Sequence, residues 1–257
     1  MANIEEIAML VDSASKTATA IAQLSESGFP LTLEQAYTIQ EKSIGHRLDR
    51  GEKMVGVKMG FTSRAKMVQM GVDDLIWGRL TNAMQVKAGA SIRFSRFVHP
   101  RIEPEIAFKL CKPLSGEVSL AEARSAVESL APAMEIIDSR YRNFKFSLSD
   151  VVADNSSSSG FVVGEWQDPD TDILDIYMEM SFDGEVVQQG SSKEILDNPW
   201  QSLVEASRLA GEAGLILEPG WIVLAGAATA AEALYPSVTV SLDAGELGKV
   251  TVKVGDK

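Results

Sequence analysis

The sequence holds a single cysteine, Cys111, and two histidines, His46 and His99, in 257 residues. An internal disulfide is therefore excluded, as is a zinc site built on several cysteines or histidines, and a Ser-His-Asp hydrolase would depend on one of two imidazoles. Positive charge is also scarce: 24 Lys and Arg face 36 Asp and Glu, a net charge of -12. Such a chain repels the phosphates of nucleic acid and anionic membrane surfaces, so neither is expected as a partner. Long apolar runs are missing. The longest weakly polar stretch, residues 219–231, is bounded by Glu218 and Glu232 and is shorter than the ~20 residues of a membrane helix. The first thirty residues lack a basic segment followed by an unbroken apolar run, which predicts a cytoplasmic chain. Three common signatures are absent as well: G-x-G-x-x-G after a strand, G-x-x-x-x-G-K-[ST] and G-x-S-x-G. Their absence leaves the dinucleotide, P-loop and α/β-hydrolase readings without support.

What is present is 45% hydrophobic residues, enough to build a sizeable core. Ile7, Ala8, Val11, Ala14, Ala18, Ile21 and Leu24 recur mostly at intervals of three and four, which predicts a helix over residues 4–25, broken at Phe29-Pro30. Thr32-Leu33-Glu34-Gln35 fits a capping box for a second helix carrying Ala36 and Ile39. Beyond Lys53 come short β-prone runs at residues 54–59, 91–97, 105–110, 160–163, 177–182, 221–224 and 237–242. Asp183-Gly184 signals a hairpin turn, and residues 245–248 a second. Ser119-Leu120-Ala121-Glu122 predicts a helix running to about Leu130, and Asn198-Pro199 another to about Gly214. Strands that follow one another without regular βαβ alternation predict an α+β fold with a mixed or antiparallel core. The expected organisation is an N-terminal helical segment, residues 1–52, packed on a β-rich catalytic domain, residues 53–257.

The chemistry begins at Glu103-Pro104-Glu105. On a strand, residues two apart share a face, so the two carboxylates would project side by side and repel unless a cation sits between them. Glu135 stands in an otherwise apolar stretch, where burying it unpaired would be costly. Three carboxylates around one hard divalent ion, Mg²⁺ or alternatively Mn²⁺, answer both problems and leave positions for water or substrate. The bland alternative is a pair of glutamates on the solvent face of an edge strand.

Four ordered blocks decide between these readings: Val55-Gly56-Val57-Lys58-Met59-Gly60-Phe61-Thr62-Ser63, Ile102-Glu103-Pro104-Glu105-Ile106, Glu135-Ile136-Ile137-Asp138-Ser139-Arg140, and Val152-Ala153-Asp154-Asn155-Ser156-Ser157. Over residues 31–254 the chain resembles the hydratase/decarboxylase branch of the fumarylacetoacetate hydrolase superfamily. That resemblance implies a mixed β-sheet core with flanking helices and a metal triad at Glu103, Glu105 and Glu135. It also implies a catalytic lysine at Lys58 and substrate contacts at Leu75, Ile76, Arg140, Lys145, Asp154, Ser157 and Thr229. Ala225 departs from relatives that often carry threonine there.

Within the branch, an apolar Ile76 in Gly71-Val72-Asp73-Asp74-Leu75-Ile76-Trp77-Gly78, the loop after Ile137, and Gly226-Ala227-Ala228-Thr229-Ala230-Ala231 resemble decarboxylases rather than hydratases. The activity so implied is metal-dependent decarboxylation of 2-oxo-3-hexenedioate (4-oxalocrotonate) to 2-hydroxypenta-2,4-dienoate and CO₂, a step in meta-cleavage of aromatic compounds. An apolar wall of Leu75, Ile76 and Trp77 would favour neutral CO₂ over carboxylate, and Arg140 or Lys145 would bind the distal carboxylate. The alternative is 2-hydroxypenta-2,4-dienoate hydratase. A third reading is a non-enzymatic subunit supporting a partner hydratase. The partners implied are a small 2-oxo diacid, further copies in a homo-oligomer, and a complex with the pathway hydratase.

Overall fold

The computed structural model describes residues 3–27, 31–63 and 74–256. The helix break at Phe29-Pro30 and the residues Gly71, Val72 and Asp73 lie outside them. Helix α1 (Ile4–Thr17) starts at an Asn3 capping box, and α2 (Leu33–Asp49) starts at the Thr32–Gln35 box read from the sequence. The first helix stops eight residues short of the expected Ser25. Ala18 takes a left-handed conformation (φ 49°) that ends it, and Ile21 instead exchanges backbone hydrogen bonds with the 140–142 segment. The apolar interval carried on through Ala18 and Ile21, but the chain there serves a bridge to Tyr141.

The large sheet is mixed, in the order β2 (Ile76–Thr81), β1 (Met54–Gly60), β10 (Ile222–Leu224), β5 (Pro100–Leu110), β6 (Val127–Asp138), β7 (Ser158–Val163) and β3 (Gln85–Val86). A short β11 (Glu232–Ala233) also pairs with β5. Strands β5 and β6 form its long antiparallel centre, joined through the six-residue helix α3 (Leu120–Ser125). That helix begins at the Ser119 box but does not reach Leu130. Residues 127–130 already belong to β6, a strand the sequence reading had not marked. A second sheet has the order β4 (Ser91–Arg93), β13 (Lys249–Gly255), β12 (Thr239–Asp243), β8 (Tyr177–Phe182), β9 (Glu185–Ser191). Both expected turns are found, Asp183 and Gly184 joining β8 to β9 at positive φ, and residues 245–248 joining β12 to β13. The β-prone run at 91–97 is strand only to Arg93, then turns.

The alternation along β5 divides the large sheet into two faces. Ile102, Ile106, Phe108 and Leu110 point into the main core, against Val240, Leu242 and Val252 of the second sheet and Leu203 of α5 (Pro199–Glu212), whose Trp200 ring lies 5.0 Å from Phe108. Each such fully buried side chain contributes roughly 1.5–3 kcal/mol. The opposite face carries Ala107, Ala131 and Ala133 against Ile44 of α2. Here α4 (Leu148–Ala153), also unmarked in the sequence, fits between the N-terminal helices and the sheet, and packs Val151 with Ile7, Ile39 and Ile76. Gln40 of α2 donates to the carbonyls of Trp77 (3.1 Å) and Val152 (3.0 Å), tying the three elements together. The architecture is therefore α+β with mixed sheets and N-terminal helices. Among the described residues no helix is long and apolar enough to cross a membrane.

Candidate active site

Strand register assembles the carboxylates. Glu103 and Glu105 are two apart on β5, and Glu135 lies directly opposite Glu103 on β6, so all three emerge on the helix-covered face. One oxygen from each lies within 4.8 Å of the others, and all three residues are buried. Lys58 reaches the same spot from β1, with Nζ 3.2 Å from Glu135 Oε2. Glu105 Oε2 accepts a 2.7 Å hydrogen bond from the Gly226 amide. That contact depends on glycine: Gly226 has φ +99°, and a Cβ there would lie 2.2 Å from Thr62 Oγ1.

The remaining oxygens are informative. Glu105 Oε1 and Glu135 Oε1 are buried without a hydrogen-bond partner, and Glu135 Oε2 has the Lys58 ammonium beside it. Buried carboxylate oxygens that share one ammonium and otherwise lack donors are complemented by a divalent cation bound through oxygen. The electrostatics agree. Burial, then the charges of Glu135 and Glu103, pushes the Glu105 carboxyl well above its ordinary range. Burial also raises Glu135, which Lys58 partly offsets. On Lys58 burial works against the charge, but Glu135, Glu103 and Glu105 outweigh it and hold its pKa above the usual lysine value.

A cavity of 330 Å³ opens beside Lys58 and Glu103. Its walls are mainly apolar: Phe61, Ile76, Ile137, Phe144, Phe146 and Val151. Ser156 and Ser157 enter it from a tight turn in which Asn155, Ser156 and Ser157 all have positive φ (51°, 50° and 61°). Residues so held cost of order 1–3 kcal/mol each and need outside support. Asn155 receives it by pairing with both backbone groups of Arg79, 2.8 Å from the amide and 2.9 Å to the carbonyl. This also fixes β2, and with it Ile76. Larger hollows elsewhere, such as one of 390 Å³ near Asp12 and Arg47, do not include the triad among their walls.

Of the residues singled out from the sequence, Lys58, Glu103, Glu105, Glu135, Ile76 and Ser157 meet at this site. Others do not. Leu75 and Trp77 alternate with Ile76 and so point to the far face, where Trp77 stacks on Tyr37 at 5.6 Å. Arg140 is buried and committed to Asp154: its Nε donates to Oδ1 (2.5 Å), its backbone amide to Oδ2 (2.9 Å), and a further guanidinium nitrogen to the Asp154 carbonyl (2.7 Å). Its remaining terminal nitrogen donates to Ser159. Both residues are thus structural ties rather than walls of the cavity. Burial lifts the Asp154 carboxyl to about 6 despite the arginine. Lys145 is exposed, between two phenylalanines that do line the cavity. Thr229 turns its hydroxyl to the Ala230 carbonyl, leaving Ala230 and Ala231 as the lining residues. The residue missed is Arg101, which also lines the cavity. It precedes Glu103 by two, so the period that paired the glutamates already placed it on their face.

The fumarylacetoacetate (FAA) hydrolase C-terminal family model matches residues 53–255. The chain belongs to the fumarylacetoacetate hydrolase family. It is 54% identical to a 4-oxalocrotonate decarboxylase of Pseudomonas sp over 248 residues, covering 96% of each chain. It is 34% identical to 2-keto-4-pentenoate hydratase 2 of Dechloromonas aromatica, covering 87% of this chain and 86% of the hydratase. Among solved structures it resembles 4-oxalocrotonate decarboxylase from Pseudomonas putida G7 complexed with magnesium and adipate. That match has a TM-score of 0.94 and 33% identity, and covers 98% of this chain and 97% of that one.

Proposed function

We propose that this chain decarboxylates 2-oxo-3-hexenedioate to 2-hydroxypenta-2,4-dienoate and CO₂, with a divalent cation at Glu103, Glu105 and Glu135. The observation that carries the reading is the junction of this triad and Lys58 with an apolar cavity. The orphaned carboxylate oxygens fit magnesium, with manganese as an alternative, and such an ion supplies a Lewis acid for the carboxylate and ketone oxygens of a 2-oxo acid.

The protein's own groups do the rest. The bond from C5 to the departing carboxylate breaks, and its electron pair moves through the C3=C4 double bond onto the C2 oxygen. Lys58, whose ammonium stands 3.2 Å from Glu135 at the cavity wall, stabilises that developing charge and donates the proton that completes the 2-hydroxydienoate. Phe61, Ile76, Phe146 and Val151 line the cavity with hydrocarbon, which solvates CO₂ better than a carboxylate. Among the described residues Glu103 is the acidic lining residue, so a separate acid to manage the water of a hydration reaction is lacking. This disfavours the hydratase reading, which the 34%-identical relative keeps in view.

The test uses the purified chain alone with 2-oxo-3-hexenedioate and Mg²⁺. Release of CO₂ that stops with EDTA and returns with Mg²⁺ supports the proposal and excludes a merely supporting subunit. Hydration of 2-hydroxypenta-2,4-dienoate without CO₂ release from the diacid overturns it. The same reading expects a cytoplasmic enzyme that forms a homo-oligomer and associates with the pathway hydratase. Sizing the chain alone and mixed with that hydratase tests both associations.

A further inference from the structure

A diacid has a second carboxylate, and the arginine and lysine expected to receive it are not at the cavity. Arg140 is fully engaged by Asp154 and Ser159, and Lys145 is exposed and outside the lining. Among the described residues, the cationic side chain in the wall besides Lys58 is Arg101. Resting on the function proposed above, we propose that Arg101 reads the carboxylate at the far end of the substrate and makes the enzyme selective for dicarboxylic over monocarboxylic 2-oxo acids.

Three observations support the assignment. First, Arg101, Glu103 and Glu105 are successive same-face residues of β5, and Arg101 is paired across the sheet with Ile137, another lining residue. The spacing of about 6.8 Å between alternate strand residues is commensurate with the roughly 6 Å between the carboxyl carbons of an extended six-carbon diacid. Arg101 and Glu103 line the same cavity, so a diacid with one end at the triad has Arg101 in the wall it runs along. Second, the guanidinium is held but not neutralised. It sits 4.8 Å above the Phe144 ring, which packs edge-on to Phe146 at 5.5 Å, and it makes a long 3.4 Å contact to the Ala231 carbonyl. Among the described residues no carboxylate pairs with it. Third, Arg101 and Phe144 also line a 410 Å³ hollow, so the pair stands between it and the catalytic cavity. A half-buried guanidinium braced by a ring suits capture better than chemistry. Its pairing with the departing carboxylate is stronger in the ground state than in the transition state, so its loss raises KM and does not lower kcat.

The experiment measures adipate and hexanoate binding to the Mg²⁺-loaded protein by calorimetry, alongside steady-state kinetics, for wild type, Arg101→Met and Arg101→Lys. Wild type should prefer adipate. In Arg101→Met that preference should fall about 10- to 100-fold, the worth of a charge-assisted hydrogen-bonded pair, and KM should rise, while hexanoate affinity and melting temperature hold. Arg101→Lys should retain part of the preference. Equal weakening of both ligands, an unchanged preference, or a fall in kcat at constant KM overturns the assignment. Binding needs no turnover, so a wild type that prefers adipate but releases no CO₂ would overturn the proposed reaction while leaving Arg101 to be judged on its own.

Discussion

Replacing Lys58 by methionine removes the buried ammonium that stands against Glu135 in the carboxylate triad. At the 3.2 Å separation from Glu135, the Coulomb attraction is about 5 kcal/mol at an effective dielectric of ~20. Part of it is offset by the desolvation of both charges, and breaking such a pair costs roughly 3–5 kcal/mol. For a chain of this size, 1 kcal/mol moves the melting temperature by about 2–4 °C, so Lys58→Met should melt about 6–20 °C below wild type in EDTA. The variant's triad carries one more uncompensated negative charge, so it should bind Mg²⁺ more tightly. The rise in melting temperature on adding Mg²⁺ should therefore be larger than in wild type, although activity is lost. Glu135→Gln should show the reverse, with the Mg²⁺-induced rise abolished. Thermal unfolding with EDTA and with a Mg²⁺ series reads all three. A Lys58→Met protein whose response to Mg²⁺ is no larger than that of wild type would refute the charge-balance argument.

Three further outcomes follow from the same geometry. Gly226→Ala forces a Cβ to 2.2 Å from Thr62 Oγ1 and strains a φ of +99°, so it should cost about 2 kcal/mol or more and weaken the Mg²⁺ response through Glu105; an unchanged melting curve would contradict this. Arg140→Met strands the buried Asp154 and should destabilise by about 3–5 kcal/mol without raising KM, whereas a raised KM at full stability would return Arg140 to substrate binding. In the metal-free protein, Glu105 holds its proton more tightly folded than unfolded. Its stabilising effect is thus full below the ordinary carboxylate pKa and lost as pH rises through the raised value. Denaturant midpoints in EDTA should fall with rising pH, more steeply in wild type than in Glu105→Gln, and saturating Mg²⁺ should remove the difference; identical slopes would count against a raised Glu105.

The parts of this site legible in the sequence are those set by short-range geometry. Period-two alternation placed Glu103 and Glu105 together, and the capping boxes at Thr32 and Ser119 marked true helix starts. The same alternation places Arg101 on that face, but a lone arginine beside two glutamates carries no signal of its own in the sequence. Strand β6 was hidden by Pro132, which removes a ladder donor from a central strand yet is accommodated here as its carbonyl accepts from Gly164 at 2.8 Å. Arg140 and Asp154 looked like two substrate contacts because each is polar in a motif block. That they satisfy one another depends on a fold bringing together residues fourteen apart. Likewise, Ile76 and Trp77 are adjacent in the chain, and the strand's alternation sends one to the cavity and the other to the core.

The central claim is that Glu103, Glu105 and Glu135 share one divalent cation at the edge of the cavity. Crystals soaked with Mn²⁺ and a 2-oxo diacid, with anomalous data collected at the manganese edge, test it most directly. The account predicts one strong peak bonded to an oxygen of each glutamate, absent from Glu135→Gln crystals. A peak elsewhere, or none among the three carboxylates with the diacid bound, would contradict it.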